Sequence, residues 1–512
     1  MNLPEELHSL SATEALRLFH SREVSPVELT EAVIARAEAT EPSINAFSYR
    51  MFEDALENAQ AAEARYLGHG AKPRPLEGLT VAIKDSGHIR DMPTSAASLT
   101  SSEAPQKETS LVNERVLKAG AIVHARTTTP EFSCAAVTHS RKWGVTRNPW
   151  NFGYTPGGSS GGAGAALAAG STMLATGSDI AGSIRIPASC CGVVGLKPSR
   201  GRNPVDAPFN LDTYCHTGPL ARTVGDAMLL QNVLCGPDPT DPTLLSPKLT
   251  LKFNKSDLKD LKIAWSLDLG FYEVDQAVIE NTRSALATLS DLGAHLVEID
   301  LPWDWQLNTT VMTHLSTNFA SSIAPMLNTE ADSLTSYARQ FAQSASDISA
   351  HDLRKASMNT ARIGEAFCSL MEEFDFFVCP TTAIPAVPAS FDHSRDELSI
   401  NGKVVPAMLG WVMTPVFNML CTHPVISLPS GHSSDGVPTG VQFVGRPYAD
   451  QELISAALNY ENARPDIFGC IAEISKNKRP EKHAIFDKHK TQTISAVLGQ
   501  TIEVAKPGVD IV

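Results

Sequence analysis

The sequence predicts an α/β fold built as one large unit, and three observations carry the prediction. Helical segments alternate with short, apolar, partly β-branched runs of the kind that form buried strands. No Gly/Ser- or Pro-rich linker separates the glycine-rich stretches in which the chemistry is concentrated. The chain has 512 residues and is 43% hydrophobic, which allows a large, well-covered core. Length alone would suggest about three domains; the missing linkers decide for one.

Taken in order, Ser11-Ala-Thr-Glu14 and Ser25-Pro26-Val-Glu28 are two capping-box patterns, the second with proline at the first helical position. They start helices that end near Phe19 and Thr40. A helix over 52–66 leads through Pro73 and Pro75 into a buried strand over 79–83, with Lys84 at its end. A helix over 111–118, closed by Gly120, leads into a strand over 121–125. Residues 163–169 form a short helix stopped by Gly170, 173–175 a brief strand, and Ser183 a tight turn that opens a helix over 184–194. After Asp241-Pro242 a strand over 261–265, a helix over 275–292 and a strand over 294–299 repeat the rhythm. Residues 302–389 read as mostly helical and carry Trp303, Trp305, Phe319, Met326 and Phe341, while Trp411 and Phe417 precede a strand pair over 425–428 and 440–444. The basic cluster Lys476, Lys478, Arg479, Lys482, Lys488 and Lys490 reads as a solvated tail.

Composition excludes several classes. A net charge of −14 argues against nonspecific nucleic-acid binding, which needs clustered positive charge. Nine cysteines without C-x-x-C spacing indicate neither a disulfide framework nor a zinc site. The amino terminus, MNLPEELHSL, lacks a basic and then apolar leader, and no run of about 18 apolar residues occurs, so the expectation is a cytoplasmic protein off the membrane.

Two glycine-flanked serines, Ser159 in GGSSGG and Ser183 in GSDIAGS, are the centre of the chemistry. Glycine clusters let a backbone approach a reacting group closely, at an entropic cost that a structural loop has little reason to accept. A serine nucleophile needs a base and donors for the oxyanion it creates. The turn Ile180-Ala181-Gly182-Ser183 offers four successive backbone N–H groups. Lys84, at the carboxyl end of a buried strand, stands where α/β folds place their sites. An unshifted lysine is neutral at pH 7 only at a cost of about 4.6 kcal/mol, so burial must lower its pKa before it can act as a base. Residues 157–161 also match G-x-S-x-G, an elbow that would make Ser159 the nucleophile of an esterase; that motif needs a strand directly before it, and 148–156 reads as loop. A phosphate-binding loop is excluded because no Gly-Lys-Ser/Thr follows the glycines. Asp85 and Asp179 stand as orienting or structural carboxylates, and Arg185 as the partner of a carboxylate near the turn.

With GLTVAIKD at 78–85, GGSSGG at 157–162 and GSDIAGSIRIPASCCGVVGLKP at 177–198 in order, the chain resembles the amidase signature family of serine hydrolases. GPLARTVGD, DFFVCPTT and HPVISLPSGHSSDGVPTGVQFVG, from 218, 375 and 423, agree with it, and coverage runs from about residue 10 to 465. The resemblance implies a central mixed β-sheet covered by helices on both faces, Ser183 as nucleophile, Ser159 as bridging serine after a cis peptide from Gly158, and Lys84 as ultimate base. It implies no cofactor and no metal. The family usually has glycine where this chain has Ala181, a Cβ that bears on specificity. The implied layout is an amidase domain over 1–470, with N-terminal helices over 1–66, a catalytic core over 76–235, a variable helical pocket region over 300–390 and a C-terminal sheet and helix region over 405–465, then a tail over 471–512. The implied reaction is hydrolysis of a small amide, or a carbamate, by a monomer or homodimer. A second member type is open: the glutamine-hydrolysing component of a tRNA-dependent amidotransferase, although 354–365 does not look like that component's glutamine-binding section. The aromatic residues of 303–341, with Trp411, Met413 and Phe417, predict an apolar pocket and an uncharged substrate.

Overall fold

The computed structural model describes residues 7–254, 258, 259 and 261–474, and the basic cluster of the expected tail lies outside them. Eleven strands form one mixed sheet. In chain order they are β1 (Phe47–Arg50), β2 (Thr80–Lys84), β3 (Ile122–Thr127), β4 (Leu174–Asp179), β5 (Val194–Lys197) and β6 (His216–Ala221), followed by β7 (Lys262–Trp265), β8 (His295–Glu298), β9 (Phe376–Pro380), β10 (Val425–His432) and β11 (Pro438–Gly445). Across the sheet they run β1-β3-β2-β4-β6-β5-β10-β11-β9-β7-β8. The pairs β2–β3, β2–β4, β7–β9 and β7–β8 are parallel and the others antiparallel.

Alternation along the strands divides the core in two. Ile263, Phe376, Val378, Ile426 and Leu428 face one apolar layer, in which Phe19, Leu230 and Tyr460 are buried. Their neighbours Ala264, Phe377, Cys379 and Val425 face the other, which holds Trp303, Tyr337, Phe341 and Trp411. A strand period of two sends successive side chains to opposite faces, so both faces must be covered. The helices do this. The second layer draws on the helical insertion between β8 and β9 and on the connection between β9 and β10, and the site lies against it.

Several helices match their sequence signals. Pro26–Ile44 starts at a complete Ser25/Glu28 capping box; Ser11 also caps Ala12–Ser21, but Glu14 turns to Arg17 and leaves that box half made. Phe52–Tyr66 and Leu111–Lys118 have the expected bounds. The helix expected over 184–194 covers only Arg185–Cys191, because Gly192 takes φ +66° and turns the chain into β5. Residues 302–389 are interrupted by β9, and β1 and β6 add strands where none was expected. The nine cysteines are all free, and Cys190 and Cys191 pack inside their helix as anticipated.

A boundary at 470 cuts through a docked segment. Ala472 N–H donates to Ala168 O at 2.8 Å and Arg36 reaches Ala472 O at 3.1 Å, so 471–474 close over the helix that follows Ser159. No helix among the described residues is long and apolar enough to cross a membrane.

Candidate active site

The parallel strands β2 and β4 end side by side, on Lys84 and on Ser178-Asp179, and so bring a lysine and a carboxylate to one point at their carboxyl ends. Lys84 is 3% exposed. Its Nζ donates to Ser159 Oγ at 2.7 Å and to Ser178 Oγ at 2.9 Å. Burial pushes its pKa down to about 7, against the opposing pull of Asp179. Near neutral pH a large share of Lys84 is therefore an uncharged amine with a free lone pair.

Ser159 precedes the helix Gly161–Ala168, and the Gly158–Ser159 peptide is cis. Gly158 has no room for a side chain, since a Cβ there would lie 2.4 Å from Val137 O. The Ser160 N–H donates to Ser183 O at 3.1 Å, which holds the second serine beside the first. No hydrogen bond joins the Ser159 and Ser183 hydroxyls; Ser183 instead lines an open cleft. No strand enters Ser159, and within 146–158 there is only an isolated bridge at Tyr154, so the elbow geometry is not met.

The 180–183 turn departs from expectation at one donor. The Gly182 N–H is taken by Asp179 Oδ1 at 2.8 Å, which leaves the N–H groups of Ile180, Ala181 and Ser183 without partners among the described residues. Gly182 has φ +117°, and a Cβ on it would lie 1.9 Å from Thr414 Oγ1, which itself donates to Ala181 O at 2.7 Å. Ala181 occupies ordinary backbone space and contributes to the cleft wall.

Asp179 anchors this turn. Burial disfavours its charge, but a bidentate Arg185 at 2.9 and 3.0 Å and the Asn418 amide at 2.7 Å hold its carboxyl well below the usual range. Arg185 therefore has the carboxylate partner its position implied, and it also donates to Gln442 Oε1 and Thr414 O. Asp85 is structural: it accepts from Ser95 and lies 3.4 Å from Arg126, while burial raises its pKa. Ser178, Thr414, Asn418 and Gln442 were not anticipated. Ser178 stands in the same glycine-rich stretch as Ser183, whereas the other three arrive from over 200 residues away and carry no local signal.

The cleft holds about 430 Å³ including its mouth. Ser183, Ile180 and Ala181 face Cys134, Leu315, Phe319, Phe341, Met408 and Val412 across it, and no charged side chain among the described residues lines it. Of the aromatics expected there only Phe319 and Phe341 line it. Trp303 packs on Phe367, Trp305 on Phe271 and Tyr272, and Trp411, Met413 and Phe417 are core.

The mixed sheet thus sets a buried lysine and a pair of serines together, with Ser183 on the wall of one apolar cleft, and this is the candidate active site. The family model described as Amidase matches residues 28–454, and the chain belongs to the amidase signature family. It is an amide-hydrolysing enzyme. It is 33% identical over 470 residues to an acylamidase of Rhodococcus erythropolis, with 90% of this chain and 97% of that one aligned. It is also 32% identical to a glutamyl-tRNA(Gln) amidotransferase component of Chloroflexus aggregans, over 90% of this chain and 99% of that one. A bacterial aryl acylamidase of the same family superposes with a TM-score of 0.83 at 28% identity, covering 90% of this chain and 98% of its own.

Proposed function

We propose that the enzyme hydrolyses uncharged amides bearing an aryl or comparable apolar group through an acyl-Ser183 intermediate, with Lys84 as base and Ser159 as the relay between them. The observation that carries this reading is the 2.7 Å hydrogen bond from Lys84 to Ser159 Oγ, made by a lysine whose burial lowers its pKa to about 7. Neutral Lys84 takes the Ser159 proton as Ser159 takes that of Ser183, and Ser183 Oγ attacks the carbonyl carbon. Ile180, Ala181 and Ser183 N–H groups receive the oxyanion. Collapse expels the amine, which takes a proton back along the relay, and water then resolves the ester by the same route.

The turn is expected to tolerate no side chain at Gly182. Gly182→Ala must displace either Thr414 or the backbone, and kcat/KM should fall by about 10²-fold or more. Activity within a few-fold of wild type would separate this turn from the oxyanion.

The apolar cleft supports the substrate class, as do the acylamidase relatives. Carbamates present the same carbonyl to Ser183 and belong to the proposed range, with the Ala181 methyl limiting shape. Glutamine would place two charges against an uncharged wall, a mismatch worth about 10²-fold or more. The test is kcat/KM for a 4-nitroanilide, an aryl carbamate and glutamine, with the first two expected to lead. A preference for glutamine would replace this reading with that of an amidotransferase component.

A further inference from the structure

We infer that Tyr337 is a positioning residue whose hydroxyl staples the two ends of segment 131–139, and through it sets both the cleft wall and the seat of Ser159. The inference rests on the roles proposed above for Ser159 and Ser183. Tyr337 is fully buried on the first turn of the helix Ser336–Ser344. Its hydroxyl accepts from the Glu131 N–H at 2.8 Å and donates to His139 O at 2.6 Å. Its ring stands edge-on to that of His139, with centroids 5.2 Å apart.

Between those two anchors the segment touches the chemistry twice. Residues 133–136 line the cleft opposite Ser183. Val137 then passes against the Gly158–Ser159 peptide so closely that a Cβ on Gly158 would meet Val137 O at 2.4 Å and Val137 N at 2.7 Å. Thr138 Oγ1 adds a hydrogen bond to Gly157 O at 2.8 Å. A shift of this segment is therefore a shift of Ser159 relative to Lys84.

The segment is also one that needs holding. Phe132 and Ser133 have φ of +52° and +62°, a left-handed region that residues with side chains enter only when their surroundings impose it. The imposing groups come from the start of the helix that carries Tyr337 and from the loop at 96–98. The buried Glu131 carboxylate accepts from the N–H and hydroxyl of Thr335, the N-cap of that helix, both at 2.7 Å, and from Ser98 Oγ at 2.6 Å. Phe132 N–H donates to Ala96 O at 2.8 Å. The same helix places Phe341 on the cleft, so one element of the insertion determines both the pocket shape and the backing of Ser159. A phenylalanine would fill the space of the Tyr337 ring equally well; the hydroxyl is distinguished by bonding both ends of one segment.

The test is Tyr337→Phe, with active sites titrated by a fluorophosphonate and kcat and KM measured per titrated site on a 4-nitroanilide. Tyr460→Phe serves as control, since Tyr460 is equally buried and donates to Pro429 O at 3.1 Å in the opposite layer, away from the cleft. The expected result is a roughly tenfold or greater fall in kcat per titrated site for Tyr337→Phe, because small misplacements of reacting groups are costly, with kcat per site of the control unchanged. Thr335→Val, which removes one Glu131 partner from the same helix, should lower kcat per site in the same direction and carries the test if Tyr337→Phe fails to fold. A loss confined to melting temperature or to the titratable fraction, with kcat per site within about twofold of wild type, would overturn the inference. Failure of wild-type Ser183 to take the label would instead remove the reading on which it rests.

Discussion

Lys84→Ala is expected to lower kcat/KM by about 10²–10⁴-fold, and Lys84→Arg should not restore it. The reason lies in the protonation state. Burial sets the lysine pKa near 7, so the amine is the active form and the ammonium is not. In the wild type kcat/KM should therefore rise about tenfold per pH unit below about 7 and level above it, as Lys84 loses its proton. A guanidinium keeps its charge throughout and offers no lone pair to Ser159. An arginine variant with near wild-type activity, or a wild-type profile flat from pH 5 to 8, would take Lys84 out of the base role.

Ser183→Ala should be the most damaging change of all. It removes the only hydroxyl of the pair that opens into the cleft, and with it the covalent route, so a loss of about 10⁴-fold or more in kcat is expected. Ser159→Ala should also lower the rate greatly while leaving the fold intact, because Lys84 then faces a methyl group where the relay stood. Since the two serines act as one unit, the double variant should be little worse than Ser183→Ala alone. Clearly additive losses would mean that the serines act independently.

The parts of the site that could be read from the sequence are those confined to short stretches. Lys84 stood out because a buried apolar strand precedes it, and Ser159 and Ser183 because glycines surround them, two of which, Gly158 and Gly182, have no room for a Cβ. Arg185 pairs with Asp179 from six residues away, within the same turn. Asn418 completes that carboxylate's surroundings and Gln442 and Thr414 those of Arg185, all from distant strands and loops, and Tyr337 reaches Glu131 across more than 200 residues, so only the folded topology assembles them. The cleft was anticipated as apolar, and of the aromatics expected to line it Phe319 and Phe341 do so while Trp303, Trp305, Trp411 and Phe417 do not. Composition cannot separate a buried Trp411 from its neighbour Val412, which faces the cavity. The fold class followed from the alternation of helices and strands. Strand β9 was passed over because a short apolar run buried on both faces has no period of its own, and β5 because Gly192 was read as helix interior.

The mechanism turns on which serine carries the acyl group. Wild-type enzyme trapped with a fluorophosphonate, or quenched during turnover of an aryl amide, and then digested for peptide mass analysis answers this directly. The adduct is predicted on the peptide containing Ser183, with Ser159 unmodified; an adduct on Ser159 would contradict the relay from Lys84 through Ser159 and make Ser159 itself the nucleophile.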